Sequence, residues 1–122
     1  MLSGMKRVFA LALVALFAAL LGAQEPPSSD VEELKARAEQ EDANAQLNLG
    51  VMYAKGQGVP QDYVQAHKWI NLAASRASGP DAAKYGKARD RVADKMTPAQ
   101  VAEAQRLARE WKPKTWEELK GE

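Results

Sequence analysis

Residues 45–74 read AQLNLGVMYAKGQGVPQDYVQAHKWINLAA, and this stretch decides the fold. Ala45, Leu49, Met52 and Tyr53 recur at the spacing of one helical face. Gly56 stops that helix, because glycine enters the left-handed conformation without the penalty a Cβ brings, and Gly58 keeps the following turn tight. Asp62, with Gln65 three residues on, spells a capping box that starts a second helix. Its broad apolar face is Tyr63, Ala66, Trp69, Ile70, Ala73, Ala74 and Ala77, and the alanines let a neighbouring helix come close. Two helices folded back on each other are expected here.

The pattern continues on both sides. Ser29 and Asp30 stand three residues before Glu32 and Glu33, which predicts a helix from near Val31 through Leu34 and Ala38, with a break at Glu41 and Asp42. Downstream, Gly79 and Pro80 interrupt the chain and open a helix to about Lys95. Thr97, Pro98 and Gln100 combine cap, first-turn proline and box. They introduce a helix bearing Val101, Ala104, Leu107, Ala108 and Trp111 that ends before Pro113. Residues 113–122 form a tail with at most one turn around Trp116 and Leu119. No stretch alternates apolar and polar residues, and valine and isoleucine are sparse beyond residue 21, so no sheet is expected. The fold class is all-α, about five helices arranged as stacked hairpins.

The amino terminus carries a different signal. Lys6 and Arg7 precede an apolar run over residues 8–21, then Gly22, Ala23 and Gln24. That is the form of a secretory signal peptide cleaved after Ala23, and the run is shorter than the roughly 20 residues that cross a bilayer. Leu21 stands where a small residue suits the peptidase better, so an uncleaved anchor is the alternative. Residues 24–29 read as a polar spacer that proline keeps from packing. The expected order is signal peptide 1–23, linker 24–29, helical domain 30–112 and tail 113–122, in a periplasmic or secreted protein.

Bulk composition narrows the function. A chain of 122 residues, 46% hydrophobic and 27% charged, has room for one core. Loss of Lys6 and Arg7 leaves fifteen cations against sixteen anions, interspersed along the chain, which argues against nucleic-acid binding. Without cysteine there is no disulfide, thiolate metal site or cysteine nucleophile. His67 is the only imidazole and reads as a solvated or hydrogen-bonded surface residue beside Trp69. Ser3 and Lys6 share the spacing of serine penicillin-binding enzymes but lie in the segment to be discarded, and Ser75 and Ser78 sit in no hydrolase motif. Gly56 and Gly58 lack the lysine and hydroxyl of a phosphate-binding loop. No catalytic residue, metal, cofactor or small-molecule substrate is expected.

Ala45, Leu49, Gly50, Tyr53, Gly56, Gly58, Val59, Asp62, Ala66, Trp69, Ala73 and Ala74 resemble, in order and spacing, one Sel-one-like repeat, a relative of the tetratricopeptide repeat. The resemblance covers about residues 43–78. It implies a short right-handed α/α solenoid in which Ala45 and Gly50 let two helices touch, Leu49 and Tyr53 fill the seam, and Trp69 packs back onto the first helix. The flanks resemble degraded continuations: Glu41 stands where the family has glycine, and Gly79 arrives about two residues late, so a shifted third hairpin is expected. The residues from 82 to 111 resemble the closing helices that shield a solenoid's end.

The resemblance implies an adaptor that holds a protein or peptide partner. The residues add a location. Asn44, Asn48, Val51 and Lys55, spaced by four, three and four, share one helical face that the repeat pattern leaves free. Its asparagines suit the backbone of an extended peptide. Trp116 is a second candidate anchor, for a partner or for the solenoid's own end. A short array is also a candidate homodimer. The alternative function is a structural or envelope-stress factor, held on the inner membrane only if the signal segment is retained.

Overall fold

The computed structural model describes residues 28–121, so the signal segment, its cleavage point and residues 24–27 of the spacer lie outside it. The described chain is α1 (Ser28–Glu39), α2 (Ala43–Lys55), α3 (Tyr63–Arg76), α4 (Pro80–Ala93), α5 (Pro98–Glu110) and α6 (Trp116–Gly121), with no strand among the described residues. It is an all-α array, as the periodicity implies.

Short polar side chains start α2, α3, α5 and α6. Asp42 accepts the Ala45 N–H at the head of α2, and Asp62 accepts the Gln65 N–H at the head of α3, both at 3.1 Å. At α5 the box is complete: Gln100 N–H donates to Thr97 Oγ1 and Thr97 N–H to Gln100 Oε1. Gly56 closes α2 in the left-handed conformation, φ +67°, its N–H returning to the Met52 carbonyl. Two boundaries differ from expectation. α1 already includes Ser28 and Ser29, placing Asp30 inside the first turn, where its charge favours the helix dipole. The tail holds a real helix, α6, opened by a box unread in the sequence: Thr115 N–H donates to Glu118 Oε2 and Glu118 N–H to Thr115 Oγ1.

The α1–α2 turn passes through Glu41, which takes φ +71°. For a residue with a Cβ that conformation costs roughly 1–2 kcal/mol. An ion pair from Glu41 to Arg76 at 2.9 Å, reaching the last turn of α3, offsets part of it. Gln46 adds a buried link, donating from Nε2 at 3.0 Å to the Ala38 carbonyl, which also accepts the Glu41 N–H at 3.2 Å, so that α2 is tied to the carboxyl end of α1.

α3 is the centre of the packing, in contact with α2, α4 and α5, while α1 lies on α2. Trp69 and Leu72 join Ala38, Ala45 and Leu49 in one cluster. Ala66 and Ile70 join Val92 of α4 in a second, and Tyr53 packs against both. The shortest approach is at Gly50: a Cβ there would lie 2.5 Å from Ile70 Cγ1 and 3.0 Å from the Ala66 carbonyl oxygen. Tight stacking of hairpins stops there. α5 packs chiefly on α3 rather than on its chain neighbour α4, because α4 buries only Tyr85 and Val92 and α5 only Ala104, too little for a third seam.

The chain after α5 turns back to α1. The Trp111 indole N–H donates to Glu39 Oε2 at 3.1 Å and Lys114 N–H to the Glu39 carbonyl at 2.8 Å. Trp111 stands edge-on to Trp69 with centroids 6.0 Å apart, and the Arg76 guanidinium lies 5.3 Å over its ring. Trp111 is thus a capping residue of the core.

Two glycine variants test this account by thermal melts followed by circular dichroism. Gly50→Ala is expected to lose about 1–3 kcal/mol, because helix backbones must separate. Gly86→Ala is expected to gain about 0.5–1 kcal/mol, since glycine inside a helix costs that much and the nearest atom to its new Cβ, Arg89 Nη2, is 3.8 Å away. Equal melting of Gly50→Ala and the parent protein defeats the close-approach argument.

Candidate partner-binding face

α2 and α4 pack side by side on α3 and meet through a hydrogen bond from the Tyr85 hydroxyl to Asn44 Oδ1, 3.3 Å. Asn44, Asn48 and Lys55 are exposed and Val51 is half-buried, so the four residues lie on the face the spacing assigned to them. They are not equivalent. Asn44 already has a structural partner in Tyr85, whereas no hydrogen bond or ion pair engages the Asn48 and Lys55 side chains among the described residues.

At the far end of this face, Lys55 enters a hollow of about 290 Å³ between the carboxyl ends of α2 and α4. Ala54 and Val92 give it apolar walls, Gln61 and Tyr63 come from the approach to α3 and its first residue, Arg91 from the last turn of α4 and Lys95 from the turn that follows it. Gln61 Nε2 donates to the Ala54 carbonyl at 2.9 Å and to the Tyr63 hydroxyl oxygen at 3.1 Å. Sequence reasoning did not find Tyr63, Arg91 and Lys95 as site residues. Arg91 lies on the last turn of α4 but Lys95 follows that helix, so it is the turn after α4, and not helical spacing, that brings the two to one hollow.

Trp116 does not belong to this face. It is 57% exposed and lines a separate hollow of about 640 Å³ between α6 and α1, with Ala36, Glu39 and Leu119. Lys120 lies 5.5 Å over its ring. The five residues grouped in the sequence therefore divide into two places, with Trp116 against the array's own first helix.

His67 corrects an expectation. It is buried, 3% exposed, and Nδ1 has no hydrogen-bond partner. Burial, then the positive charge of Arg89, holds its pKa below the ordinary imidazole value, with Asp90 acting the other way. Lys68 is also pushed below the usual lysine range, by burial first; its ammonium rests 4.2 Å over the Trp69 ring. Among the described residues, no group of three His, Cys, Asp or Glu side chains is placed to hold a metal ion.

α2 and α3 form an α/α hairpin closed by a tight glycine turn, and the next helix packs on the second of them. Residues 43–78 match the family model of the Sel1 repeat, and this chain carries a Sel1-like repeat. No curated protein and no solved structure matches the chain. Sel1 repeats form non-catalytic scaffolds that mediate protein–protein interaction.

The state of His67 has a pH consequence. A lowered native pKa means that, as pH falls through the unfolded value near 6.5, the unfolded chain takes up the proton first and stability drops. Melting temperatures between about pH 7.5 and 5 are expected to fall more steeply for the parent than for His67→Gln; parallel slopes would show that this histidine does not contribute.

Proposed function

We propose that this chain is an exported, non-enzymatic adaptor that binds a partner protein or peptide along the face between α2 and α4. The observation that carries the proposal is the placement of Asn48, Val51 and Lys55 on one face of a Sel1 repeat, continuous with the hollow at Lys55. Asn48 offers a donor and an acceptor to a peptide backbone, Val51 gives apolar contact, and Lys55 leads into the hollow. Export rests on Lys6, Arg7, the apolar run over residues 8–21 and Ala23.

A membrane-anchored form is the second reading, favoured by Leu21 at a position where a small residue suits cleavage better. Among the described residues no helix is long and apolar enough to cross a membrane, so an anchor would have to come from the first segment. Amino-terminal sequencing of the protein from its host separates the two: a chain starting at Gln24 supports the free adaptor, and one starting at Met1 the anchored form.

The binding face is tested by affinity capture from an envelope extract with the parent and with Asn48→Ala, Val51→Asp, Lys55→Glu. Asn44 is left intact because its partner is Tyr85. A captured protein is expected to be depleted at least about tenfold on the variant, a change of about 1.4 kcal/mol, with unaltered melting. Equal recovery on both would move the interface elsewhere.

A further inference from the structure

The hollow at the end of the α2–α4 face has an unbalanced charge. Lys55, Arg91 and Lys95 all line it and no carboxylate does. Among the described residues five other cations form ion pairs, Lys35 with Glu32, Arg37 with Asp42, Arg76 with Glu41, Arg89 with Asp90, and Arg106 with Glu103 and Glu110, while others such as Lys84, Lys87 and Arg109 stand singly on the exposed surface; what sets the hollow apart is that three cations gather in it without a carboxylate. Among the described residues none of the three around the hollow has an ion pair. A cation in a helix's last turn complements the macrodipole, and that accounts for Lys55 on α2 or Arg91 on α4 taken singly. It does not account for three of them, from α2, α4 and the turn after α4, around one concavity. Like charges brought together there repel one another and raise the local positive potential, which costs stability unless an anion from outside balances them.

The rest of the lining defines what that anion is attached to. The Tyr63 hydroxyl oxygen receives the Gln61 amide proton at 3.1 Å, which leaves its own proton free to be donated to an incoming acceptor. Ala54 and Val92 supply apolar surface beside the charges. A ligand that fits carries negative oxygens and hydrocarbon together, and it must be continuous with a chain lying along Asn48 and Val51.

We propose that the hollow is the specificity pocket of the binding face and receives an acidic peptide segment, with Asp or Glu side chains flanked by apolar residues, whose carboxylates are held by Lys55, Arg91 and Lys95 and by the Tyr63 hydroxyl. This rests on the adaptor reading above and adds to it the chemical class of the partner. Charge complementarity of this kind sets specificity and association rate more than total affinity. Its contribution weakens with salt, because the three cations are exposed.

The test is selection of randomised dodecapeptides by display on the purified full chain, followed by anisotropy titration of fluorescein-labelled winners. Three proteins are compared: the parent, Asn48→Ala with Val51→Asp, and the charge reversal Lys55→Glu, Arg91→Glu, Lys95→Glu, with a thermal melt of each. Winners enriched in Asp and Glu, weakened at least about tenfold by the reversal and by Gln for Glu replacement in the peptide, support the proposal. A reversed protein that now selects Lys-rich peptides supports it further. Winners lost on Asn48→Ala with Val51→Asp but without acidic bias overturn the pocket assignment while leaving the adaptor reading intact. If no library member is retained by the parent, both fall. An oligothymidylate that displaces the acidic peptides and binds as tightly also overturns the proposal, since the hollow would then read charge alone.

Discussion

The contact between Gly50 and the Ala66–Ile70 turn of the following helix sets the distance at which the other elements are placed. With a side chain at residue 50 the two backbones could not approach as they do, and Leu49, Trp69 and Ile70 would not reach the depths at which they are buried. The close seam also gives α3 two usable flanks. One takes the cluster around Ala45 and Ala38, the other the cluster around Val92, so a single helix serves both halves of a small core. The placement of α4 beside α2, and therefore the binding face itself, follows from both lying on that helix.

Much of this was legible in the sequence because the determinants are local. Asp62, Thr97 and Gly56 act on atoms within a few residues of themselves, and their spacing states what they do. The break at Glu41 was legible from the helix patterns on either side, but its left-handed conformation was not, because a residue with a Cβ stands where the repeat pattern has glycine. What could not be read depends on distant partners. The burial of His67 needs the surroundings of α3, and the bond from Tyr85 to Asn44 spans two helices. α6 is an intermediate case. Thr115 and Glu118 have the spacing of a capping box, but the short polar tail around them gave no apolar periodicity to support it.

The candidate site divides along the same line. Asn48, Val51 and Lys55 share a face by helical geometry alone, so spacing was enough to group them. Arg91 and Lys95 join them only because α4 returns beside α2, and Trp116 leaves the group because the tail returns beside α1. The resulting surface has two distinct chemistries on opposite members of the array. One hollow gathers cations without counter-charges. The other mixes Glu32, Glu33 and Glu39 with Lys35 and Lys120 around an exposed indole.

The return of the tail to Glu39 changes how the molecule comes apart. An open solenoid is quasi-one-dimensional: each unit touches only its neighbours, and the end units fray first without disturbing the middle. Here the first helix and the segment after the fifth share two hydrogen bonds, and Trp111 also leans on Trp69 in the central helix. Neither end can peel away alone, because loosening α1 removes the partner of Trp111 and loosening the tail uncovers the core beneath α1. The clasp closes the array into a ring of contacts. The first and last described elements are therefore coupled through Glu39 rather than independent, unlike the end units of an open array.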